Sequence, residues 1–366
     1  MLDIKEYFCP HSSCKCYGLR GYGNLVKAGT YRRKVSGEKK QVFKCIVCGT
    51  RFSETQSTIF AGSHYSDQTI KSIILCTAEG NGIRATSRIL GLSKDRVNQI
   101  VLKAGIYADM MLSNLLQSLH LNECQIDELW SFVQKKKALD EKELKAQYGQ
   151  TWVWAALDSN SRLIICHLVG NRTLESCRLF LKELSSRLAN IPLFTSDELV
   201  HYETVLGEIY SEEIPVEPTG MRGRPRNPER EINPQLDYAV VHKTREKRKL
   251  VKVERRVVYG DEKRIDEKIA QSPGKKINTS YIERVNGTLR QTDSHLRRKS
   301  QTFAKEMPHF KAKLSVVILM YNCIRPHSTL SKNPDKSCTP RTPALVAKLI
   351  EKNWTVDSAF KKPLLL

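Results

Sequence analysis

Three acidic residues stand in sequence settings where a carboxylate could do chemistry. Asp127 lies in an alternating apolar and polar run, 125–133, which is typical of a half-buried strand. Asp197 ends a short apolar run at 191–196, and Glu283 lies in a later amphipathic helical pattern. A carboxylate inside a strand is costly unless it is paired, hydrogen-bonded or bound to a metal. We therefore treat the three acids as one candidate cluster.

The elements that must position these acids follow from the periodicity of the chain. The predicted elements are strands at 125–133, 152–157 and 163–169, a helix at 175–189, a strand at 191–196 and a late helix that runs from Ser280 past Arg298. This order is that of an RNase H-like domain, in which the first and fourth strands are neighbours. Asp127 and Asp197 would then lie side by side, and Glu283 on the late helix would complete the cluster.

Three converging carboxylates repel one another unless divalent cations lie among them. We expect Asp127, Asp197 and Glu283 to hold two metal ions that act on the attacking and leaving oxygens of a phosphodiester. Oxygen ligands and a phosphate substrate favour Mg²⁺, with Mn²⁺ as a possible substitute.

Each acid also has a non-catalytic interpretation. Asp127 could face water, and Asp197 could cap the helix that follows it. Glu283 has the spacing of a capping box with Ser280. The element order favours the catalytic interpretation for the three together. Asp158 is not included in the cluster, because the sequence Asp-Ser-Asn-Ser in which it lies is typical of a turn.

Four of the eleven cysteines form two short-spaced pairs near the N-terminus. The pairs are Cys9 with Cys14 and Cys45 with Cys48. Such pairs predict tetrahedral thiolate ligation of a structural Zn²⁺ ion. A redox role is the weaker interpretation, and Cys16 could replace Cys14 as a ligand.

The residues after this module predict a helix-turn-helix. Ser66 caps a first helix, and two short helices at 83–90 and 93–100 flank a turn at Gly91. The apolar residues expected to pack between them are Ile89, Leu92, Val97 and Ile100. The polar residues expected to face outward, toward phosphates and base edges, are Lys94, Arg96, Asn98 and Gln99. The alternative to a DNA-binding unit is an ordinary helical hairpin whose polar face is exposed to solvent.

The charge of the chain points to a polyanionic partner. Sixty basic and 39 acidic residues leave a net charge of +21, which favours nucleic acid. A simpler explanation of the positive charge is that it serves only to keep the protein soluble. The uncharged stretch 314–324 is shorter than the ~20 residues of a membrane span, so we expect no membrane partner. The N-terminus carries no apolar run, and we expect a cytoplasmic protein.

The sequence resembles the DDE insertion-sequence transposases, with most similarity to the insertion-sequence-one family and its longer relatives. The segments that carry the resemblance are Ile126-Asp127-Glu128-Leu129-Trp130, Thr195-Ser196-Asp197, the Glu-Arg-x-Asn-x-x-x-Arg string from Glu283 to Arg290, Leu296–Ser300, Tyr321–His327 and the cysteine pairs followed by Gly49-Thr50-Arg51-Phe52-Ser53.

This resemblance implies a transposase that nicks DNA by hydrolysis and transfers the 3′ end to target DNA. Its partners would be double-stranded DNA, both terminal inverted repeats and target, with a homodimer or larger assembly on that DNA. Such a protein would be associated with the nucleoid. The residues expected to meet DNA near the acids are Asn286, Arg290, Arg297, Arg298 and Lys299, and Arg325 and His327 are expected to brace the site.

The predicted fold class is α+β and multidomain. The expected parts are a zinc-binding module at 1–60, a helix-turn-helix domain at 61–118, an RNase H-like catalytic domain at 119–345 and a C-terminal tail at 346–366. Asp197 and Glu283 are 86 positions apart, so the proline-rich and basic segment at about 203–278 is expected to be an insertion that loops out. Within it, Arg222–Pro225 could enter a minor groove, although a flexible basic linker is the favoured interpretation.

Two rival functions remain open from the sequence. One is a DNA-binding regulator or domesticated transposase that no longer cuts. The other is an RNase H-like repair or resolvase nuclease that cuts branched DNA without joining ends.

Overall fold

A computed structural model describes residues 3–214, 229–247, 249–333 and 335–365. The Arg222–Pro225 segment lies outside these described residues. The chain divides into two compact units, unit 1 with residues 1–115 and 290–366, and unit 2 with residues 116–289. Residues 290–345, which the sequence analysis assigned to the catalytic domain, therefore fall in unit 1.

Unit 1 begins with a small antiparallel sheet. Its strands are β1 (Leu25–Arg32), β2 (Lys39–Cys45) and β3 (Arg51–Ser53), in the order β1-β2-β3. The core beneath them consists of Tyr7, Leu25, Phe43, Phe52 and four cysteine side chains. A core this small gives little hydrophobic stabilisation, so a bound metal would add much of the stability of this part.

Three helices follow, α1 (Asp67–Ala78), α2 (Ile83–Leu90) and α3 (Lys94–Leu115). Ser66 caps α1 as predicted, and Gly91 ends α2 in the left-handed region at φ +65°. Helix α3 continues fifteen residues beyond the predicted end at Ile100. The prediction that Ile89 packs in the angle was wrong, because its side chain is 60% exposed. Its neighbour Leu90 takes that place.

Unit 2 contains most of the strands. Its elements are β4 (Glu123–Val133), α4 (Glu141–Lys145), β5 (Gly149–Asp158), β6 (Ile164–Gly170), α5 (Leu174–Arg187), β7 (Leu193–Asp197), α6 (Val200–Ile209), β8 (Ser211–Ile214), β9 (Glu229–Ile232), β10 (Asp237–Glu246), β11 (Lys249–Tyr259), α7 (Glu262–Gln271) and the greater part of α8 (Ser280–Thr292). Strands β8 and β9 pair with each other. The other six form a mixed sheet in the order β11-β10-β7-β4-β5-β6.

Strand β4 lies inside this sheet, antiparallel to β5 and parallel to β7. Helices α5 and α6 cover one face, where the rings of Phe180 and Tyr202 pack on Trp154 at 6.1 and 5.7 Å. Helix α7 packs on the sheet through Ile265 and Ile269. The predicted strands therefore form, and the fourth lies beside the first.

The segment at about 203–278 was expected to loop out, but it contributes strand β10 to the main sheet. Residues 237–241 of β10 pair in parallel with β7. Their side chains are almost fully buried, so they belong to the core. Only the basic second half of β10, paired with β11, continues past the end of β7.

Helix α8 ends at Thr292, so the prediction of a helix that runs past Arg298 was wrong. The Asp293 side chain accepts a hydrogen bond from the His295 N–H and starts a 3-10 turn. Asp293 is fully buried and lies 3.6 Å from the Lys313 ammonium, which fixes the turn in place. Consequently Arg297 does not lie on the same helix face as Glu283.

Unit 1 is completed by α9 (Met307–Leu319), α10 (Pro343–Val346) and α11 (Val356–Phe360). Helix α9 crosses α3 at Gly105, where a Cβ would lie only 2.2–2.4 Å from the Ala312 backbone. The segment predicted to be a tail includes α11, whose Phe360 ring is buried 5.7 Å from Tyr107. No helix in the described part of the chain has both the length and the apolar character of a membrane span.

Candidate active site

Asp127 and Asp197 lie on neighbouring parallel strands of unit 2. The last residue pair between β4 and β7 joins Ile126 to Ser196, and each acid is the next residue on its strand. Because the two strands run in the same direction, both acids reach the same edge of the sheet. This is the side-by-side placement that the sequence predicted.

Helix α8 is attached to this edge through Gln125. The Gln125 side chain is fully buried, and its Oε1 accepts hydrogen bonds from the N–H groups of Tyr281 and Ile282 at 3.1 and 3.0 Å. Its Nε2 donates to the Asn278 carbonyl oxygen at 2.8 Å. These bonds satisfy backbone groups that a helix start leaves unpaired. The sequence analysis missed Gln125, although its position two residues before Asp127 puts both on one face of β4.

Asn286 connects α8 directly to the first acid. Its Nδ2 donates to Oδ2 of Asp127 at 2.6 Å, while the N–H of Glu128 donates to Oδ1 at 2.8 Å. The Asn286 side chain is buried, and its Oδ1 has no hydrogen-bond partner among the described residues. A buried amide oxygen is therefore available beside the Asp127 carboxylate.

Lys243, on β10, joins the other two acids. Its Nζ lies 3.1 Å from Oδ1 of Asp197 and also donates to Oε1 of Glu283. The same ammonium donates to the Thr279 hydroxyl at 2.6 Å, and that hydroxyl lies within hydrogen-bond distance of both carboxylates. Burial opposes the charge, but the bonds to Glu283 and Asp197 raise the pKa of Lys243 above its usual value. The lysine therefore carries a positive charge at neutral pH.

The environment of Asp127 disfavours its charged form. Burial, with the nearby charges of Glu128, Asp197 and Glu283, raises the pKa of Asp127 to about 7. Strongly perturbed pKa values of this kind are concentrated at functional sites.

Two other acids on the strands of this sheet, Glu128 and Asp158, have structural roles. Glu128 points to the opposite face of β4, where Arg172 lies 2.6 Å from Oε1 and the Tyr202 hydroxyl donates to Oε2 at 2.9 Å. Asp158 accepts hydrogen bonds from the N–H groups of Asn160 and Ser161, so it closes the β5–β6 turn.

The helix-cap interpretations of Asp197 and Glu283 do not hold in the structure. Helix α6 begins after Leu199, and Asp197 is not its N-cap. Helix α8 begins at Ser280, which leaves no capping box with Glu283.

The donor groups at this edge fit a divalent ion of the magnesium type. Three carboxylates and an amide oxygen are the hard oxygen ligands that Mg²⁺ prefers. The Asn286 Oδ1 without a partner is the kind of buried acceptor that such an ion, or its water, would satisfy. In the described part of the chain, however, the only set of three or more metal-ligand side chains within 4.8 Å of one another is the cysteine set of unit 1. The acids are linked instead through Asn286 and Lys243.

The cysteine set consists of Cys9, Cys14, Cys45 and Cys48, and Cys16 is not part of it. The sulfurs of Cys9 and Cys48 are 3.5 Å apart, and those of Cys14 and Cys45 are 3.9 Å apart. A hydrogen bond with the Thr50 hydroxyl lowers the pKa of Cys48 to about 6, which favours a thiolate. Four sulfurs at these distances can hold a metal ion.

The residues of α3 that were predicted to bind DNA differ in their exposure. Lys94, Arg96 and Gln99 are exposed on the first turns of α3. The prediction that Asn98 faces outward was wrong, because its Nδ2 lies 2.8 Å from Nε2 of His309 on α9. This follows from the helical period, which turns position 98 toward the buried side of α3.

The remaining predicted contacts lie in other settings. Arg290 is half-buried in α8, whereas Arg297, Arg298 and Lys299 are exposed after the 3-10 turn. Arg325, expected to brace the site, instead bonds to Glu79 and to the Ala78 carbonyl at the end of α1.

A sequence model of the family described as IS1 transposase matches residues 121–211. This segment is related to the IS1 transposases. The IS1-related segment contains β4 and β7 with Asp127 and Asp197, whereas Glu283 lies beyond its end. The chain is 30% identical over 98 residues to the insertion element iso-IS1n protein InsB of Shigella dysenteriae. That match covers 25% of this chain and 65% of InsB, slightly less than two thirds of the curated relative.

Solved structures of Mos1 transposase also resemble part of this IS1-related chain. The strand transfer complex of Mos1 is 14% identical, with a TM-score of 0.16 over 38% of this chain and 52% of Mos1. The Mos1 paired-end complex with the left transposon end gives 13% identity and a TM-score of 0.16, over 38% and 53% of the two chains.

Proposed function

We propose that this chain is a DDE transposase of an insertion sequence, which binds terminal inverted repeats and catalyses metal-dependent phosphodiester hydrolysis and strand transfer. One observation carries the proposal. Asp127 and Asp197 share one edge of a sheet with a helix that brings Glu283 and Asn286 to the same place. The relationship to the IS1 transposases supports this assignment.

We further propose that unit 2 is an RNase H-like domain. Its strand order supports this, because β4, β5 and β6 form an antiparallel run and β7 and β10 add two parallel strands beside β4. In this interpretation β8 and β9 are the part inserted between the core strands, and β11 extends the sheet beyond β10.

Asp127, Asp197 and Glu283 would hold Mg²⁺, or Mn²⁺ in its place. Two such ions would supply activation of the attacking oxygen and stabilisation of the leaving oxygen at the phosphorus. Asn286 holds Asp127 in one orientation, and Gln125 fixes the helix that carries Glu283. Asp197 and Glu283 have side chains that are 49% and 45% exposed, so the edge is open to a DNA strand.

The reaction would proceed in two displacement steps on this edge. In the first, a water oxygen forms a bond to phosphorus, the bond to the 3′ oxygen breaks, and that oxygen leaves as a 3′ hydroxyl. In the second, the 3′ hydroxyl oxygen loses its proton and forms a bond to a phosphorus of the target, while the bond from that phosphorus to the target's own 3′ oxygen breaks and this oxygen leaves as a hydroxyl. Asp127, with its raised pKa, is a carboxyl whose ionisation would follow cation binding at neutral pH.

Unit 1 would provide recognition of DNA. We propose that Cys9, Cys14, Cys45 and Cys48 hold a structural Zn²⁺ ion, and that α2 and α3 form a helix-turn-helix. Lys94, Arg96 and Gln99 would contact the terminal repeat, because their exposed side chains lie where a recognition helix meets base edges. Arg290, Arg297, Arg298 and Lys299 would contact backbone phosphates. The protein would act in the cytoplasm, at the nucleoid, as a homodimer or larger assembly on DNA.

The test is incubation of the full-length protein with DNA that carries the flanking ends of its own gene, with and without Mg²⁺. We expect 3′ nicks at the repeat ends and products in which these ends are joined to target DNA. Specific binding with no Mg²⁺-dependent cutting would favour a regulator and contradict the proposal. Cutting of branched DNA without joined products would favour a repair or resolvase nuclease.

A further inference from the structure

Lys243 occupies an unusual position for a basic residue, inside the acid cluster. It lies on β10 two residues after Val241, which pairs with Asp197 on β7. The alternation of side chains along a strand therefore directs Lys243 to the side where Val241 and the acid edge lie. Only 19% of its side chain is exposed. The lysine is part of the site and not of the solvated hairpin beyond it.

The Lys243 ammonium links two carboxylates that are far apart in the chain. It contacts Asp197 at 3.1 Å and also Glu283, which lie 46 and 40 positions away. The Thr279 hydroxyl accepts a third hydrogen bond from the same ammonium, at 2.6 Å from Nζ. One cation thus neutralises two acids and orders them around itself, which is the electrostatic task of a bound metal ion.

Other basic residues of the β10–β11 hairpin have different partners. Lys252 pairs with Glu254 at 2.6 Å, and its side chain is 63% exposed. Arg256 pairs with Glu198 at 3.0 Å, and the Arg255 Nε donates to the Ile277 carbonyl oxygen at 2.7 Å. The contact of Lys243 with the acids is therefore specific to its position and not a general consequence of a basic hairpin.

We propose that Lys243 is a built-in counter-cation that holds Asp197 and Glu283 together before a divalent ion binds, and that it competes with that ion for the two carboxylates. The inference rests on the proposed function, which makes these acids metal ligands. The lysine prevents the two carboxylates from repelling each other in the metal-free protein. A divalent ion must displace it from both acids, so metal binding includes the loss of this ion pair.

The proposed competition predicts the direction in which metal affinity changes when Lys243 is replaced, and a binding measurement alone can determine that direction. Removal of the ammonium removes the group that the metal must displace, so metal affinity should rise. If Lys243 instead served only to keep the acids in place for the metal, its removal should lower the affinity. The sign of the change separates the two roles.

The experiment is isothermal titration calorimetry of Mn²⁺ into zinc-loaded, full-length protein. The variants are Lys243→Met, Lys243→Arg, and Lys252→Met as a control that loses one charge from the same hairpin without touching the acids. We expect Lys243→Met to bind Mn²⁺ roughly tenfold more tightly than wild type, equivalent to about 1.4 kcal/mol. Lys243→Arg and Lys252→Met should stay within about twofold of wild type, because both keep a cation in the cluster.

Asp197→Asn is measured alone and combined with Lys243→Met. The part of the Mn²⁺ binding heat that disappears in these variants comes from binding at the acid cluster. Mn²⁺ binding that depends on Asp197 but is equal or weaker in Lys243→Met would overturn the competition and leave the metal site intact. The absence of any Asp197-dependent binding in wild type and Lys243→Met would overturn the proposed metal site together with this inference.

Thermal unfolding provides a second readout if Lys243→Met is difficult to purify. Lys243→Gln, which is smaller and neutral, should show a larger increase in melting temperature on addition of Mn²⁺ than wild type shows. An equal or smaller increase in Lys243→Gln would contradict the proposal.

Discussion

The side chain of Asn286 on α8 donates a hydrogen bond to Oδ2 of Asp127 on β4, at 2.6 Å. This bond crosses 159 positions of sequence and connects the helix that carries Glu283 to the strand that carries the first acid. In the proposed transposase, Asn286 is thus a positioning residue for Asp127, and its free Oδ1 adds an oxygen at the same edge.

Asn286→Ala should lower DNA cleavage about 10–100-fold, because loss of a partner that orients a metal ligand has effects of this size. Specific DNA binding should be unchanged, as measured by electrophoretic mobility shift. Gln291→Ala, an exposed change on the same helix, is the control and should cleave normally. Full cleavage by Asn286→Ala would show that the bond to Asp127 has no role.

Asp127→Asn should change how the stability of the metal-free protein depends on pH. The pKa of Asp127 rises from its usual 3.8 to about 7 on folding, so the folded chain binds more protons between these values. Its contribution to stability is complete below the lower value and is lost as pH rises through the window. The loss is at most roughly 4 kcal/mol, from about 1.4 kcal/mol per pKa unit.

Asp127→Asn should therefore be more stable than wild type at pH 8 and nearly equal to it at the acidic end of the window. Urea unfolding at several pH values, without divalent ions, measures this difference. Asp266→Asn, an exposed acid on α7, should show no such trend. A difference between Asp127→Asn and wild type that is constant with pH would contradict a raised pKa.

Gln125→Leu should destabilise unit 2 by about 1–3 kcal/mol, because it leaves buried N–H and carbonyl groups at the start of α8 without partners. Cleavage should fall as well, since α8 carries Glu283 and Asn286. Urea unfolding monitored by tryptophan fluorescence checks the first effect. The same substitution at Gln150, exposed on β5, should have little effect on either property. If Gln125→Leu were as stable as wild type, the helix would not depend on this side chain.

Cys14→Ser should lose the bound zinc, and Cys16→Ser should keep it, because only Cys14 belongs to the four-sulfur set. Both thiols are buried and two positions apart, so the pair is a matched comparison. Zinc content by atomic absorption should be about one ion per chain in wild type and Cys16→Ser, as expected for a single four-thiolate site. If Cys14→Ser kept its zinc and Cys16→Ser lost it, the ligand would be Cys16 and not Cys14.

The strands of the site in unit 2 and two helix boundaries of unit 1 could be predicted from sequence because they depend on local patterns. The alternation around Asp127 and the apolar run before Asp197 both became strands, and their adjacency followed from the element order. Ser66 and Gly91 marked helix boundaries through their own backbone chemistry. The catalytic role of the acids stays a prediction.

Contacts between distant segments could not be predicted in the same way. Nothing local to Lys243 shows that it reaches Asp197 and Glu283, because this depends on β10 pairing with β7. The 86-position spacing of Asp197 and Glu283 suggested a looped-out segment, yet residues 237–241 within it are buried core. The end of α8 was also missed, because the buried Asp293 that stops the helix is stabilised by Lys313, twenty positions later.

We propose above that Asp127 belongs to a metal-dependent cleavage site. The most direct test compares Mg²⁺-dependent nicking of repeat-end DNA by wild type, Asp127→Asn and Asp266→Asn, with DNA binding measured in the same samples. We expect equal binding by all three, nicks from wild type and Asp266→Asn, and none from Asp127→Asn. Nicking that survives in Asp127→Asn would contradict the proposal, because the reaction would then depend on other carboxylates.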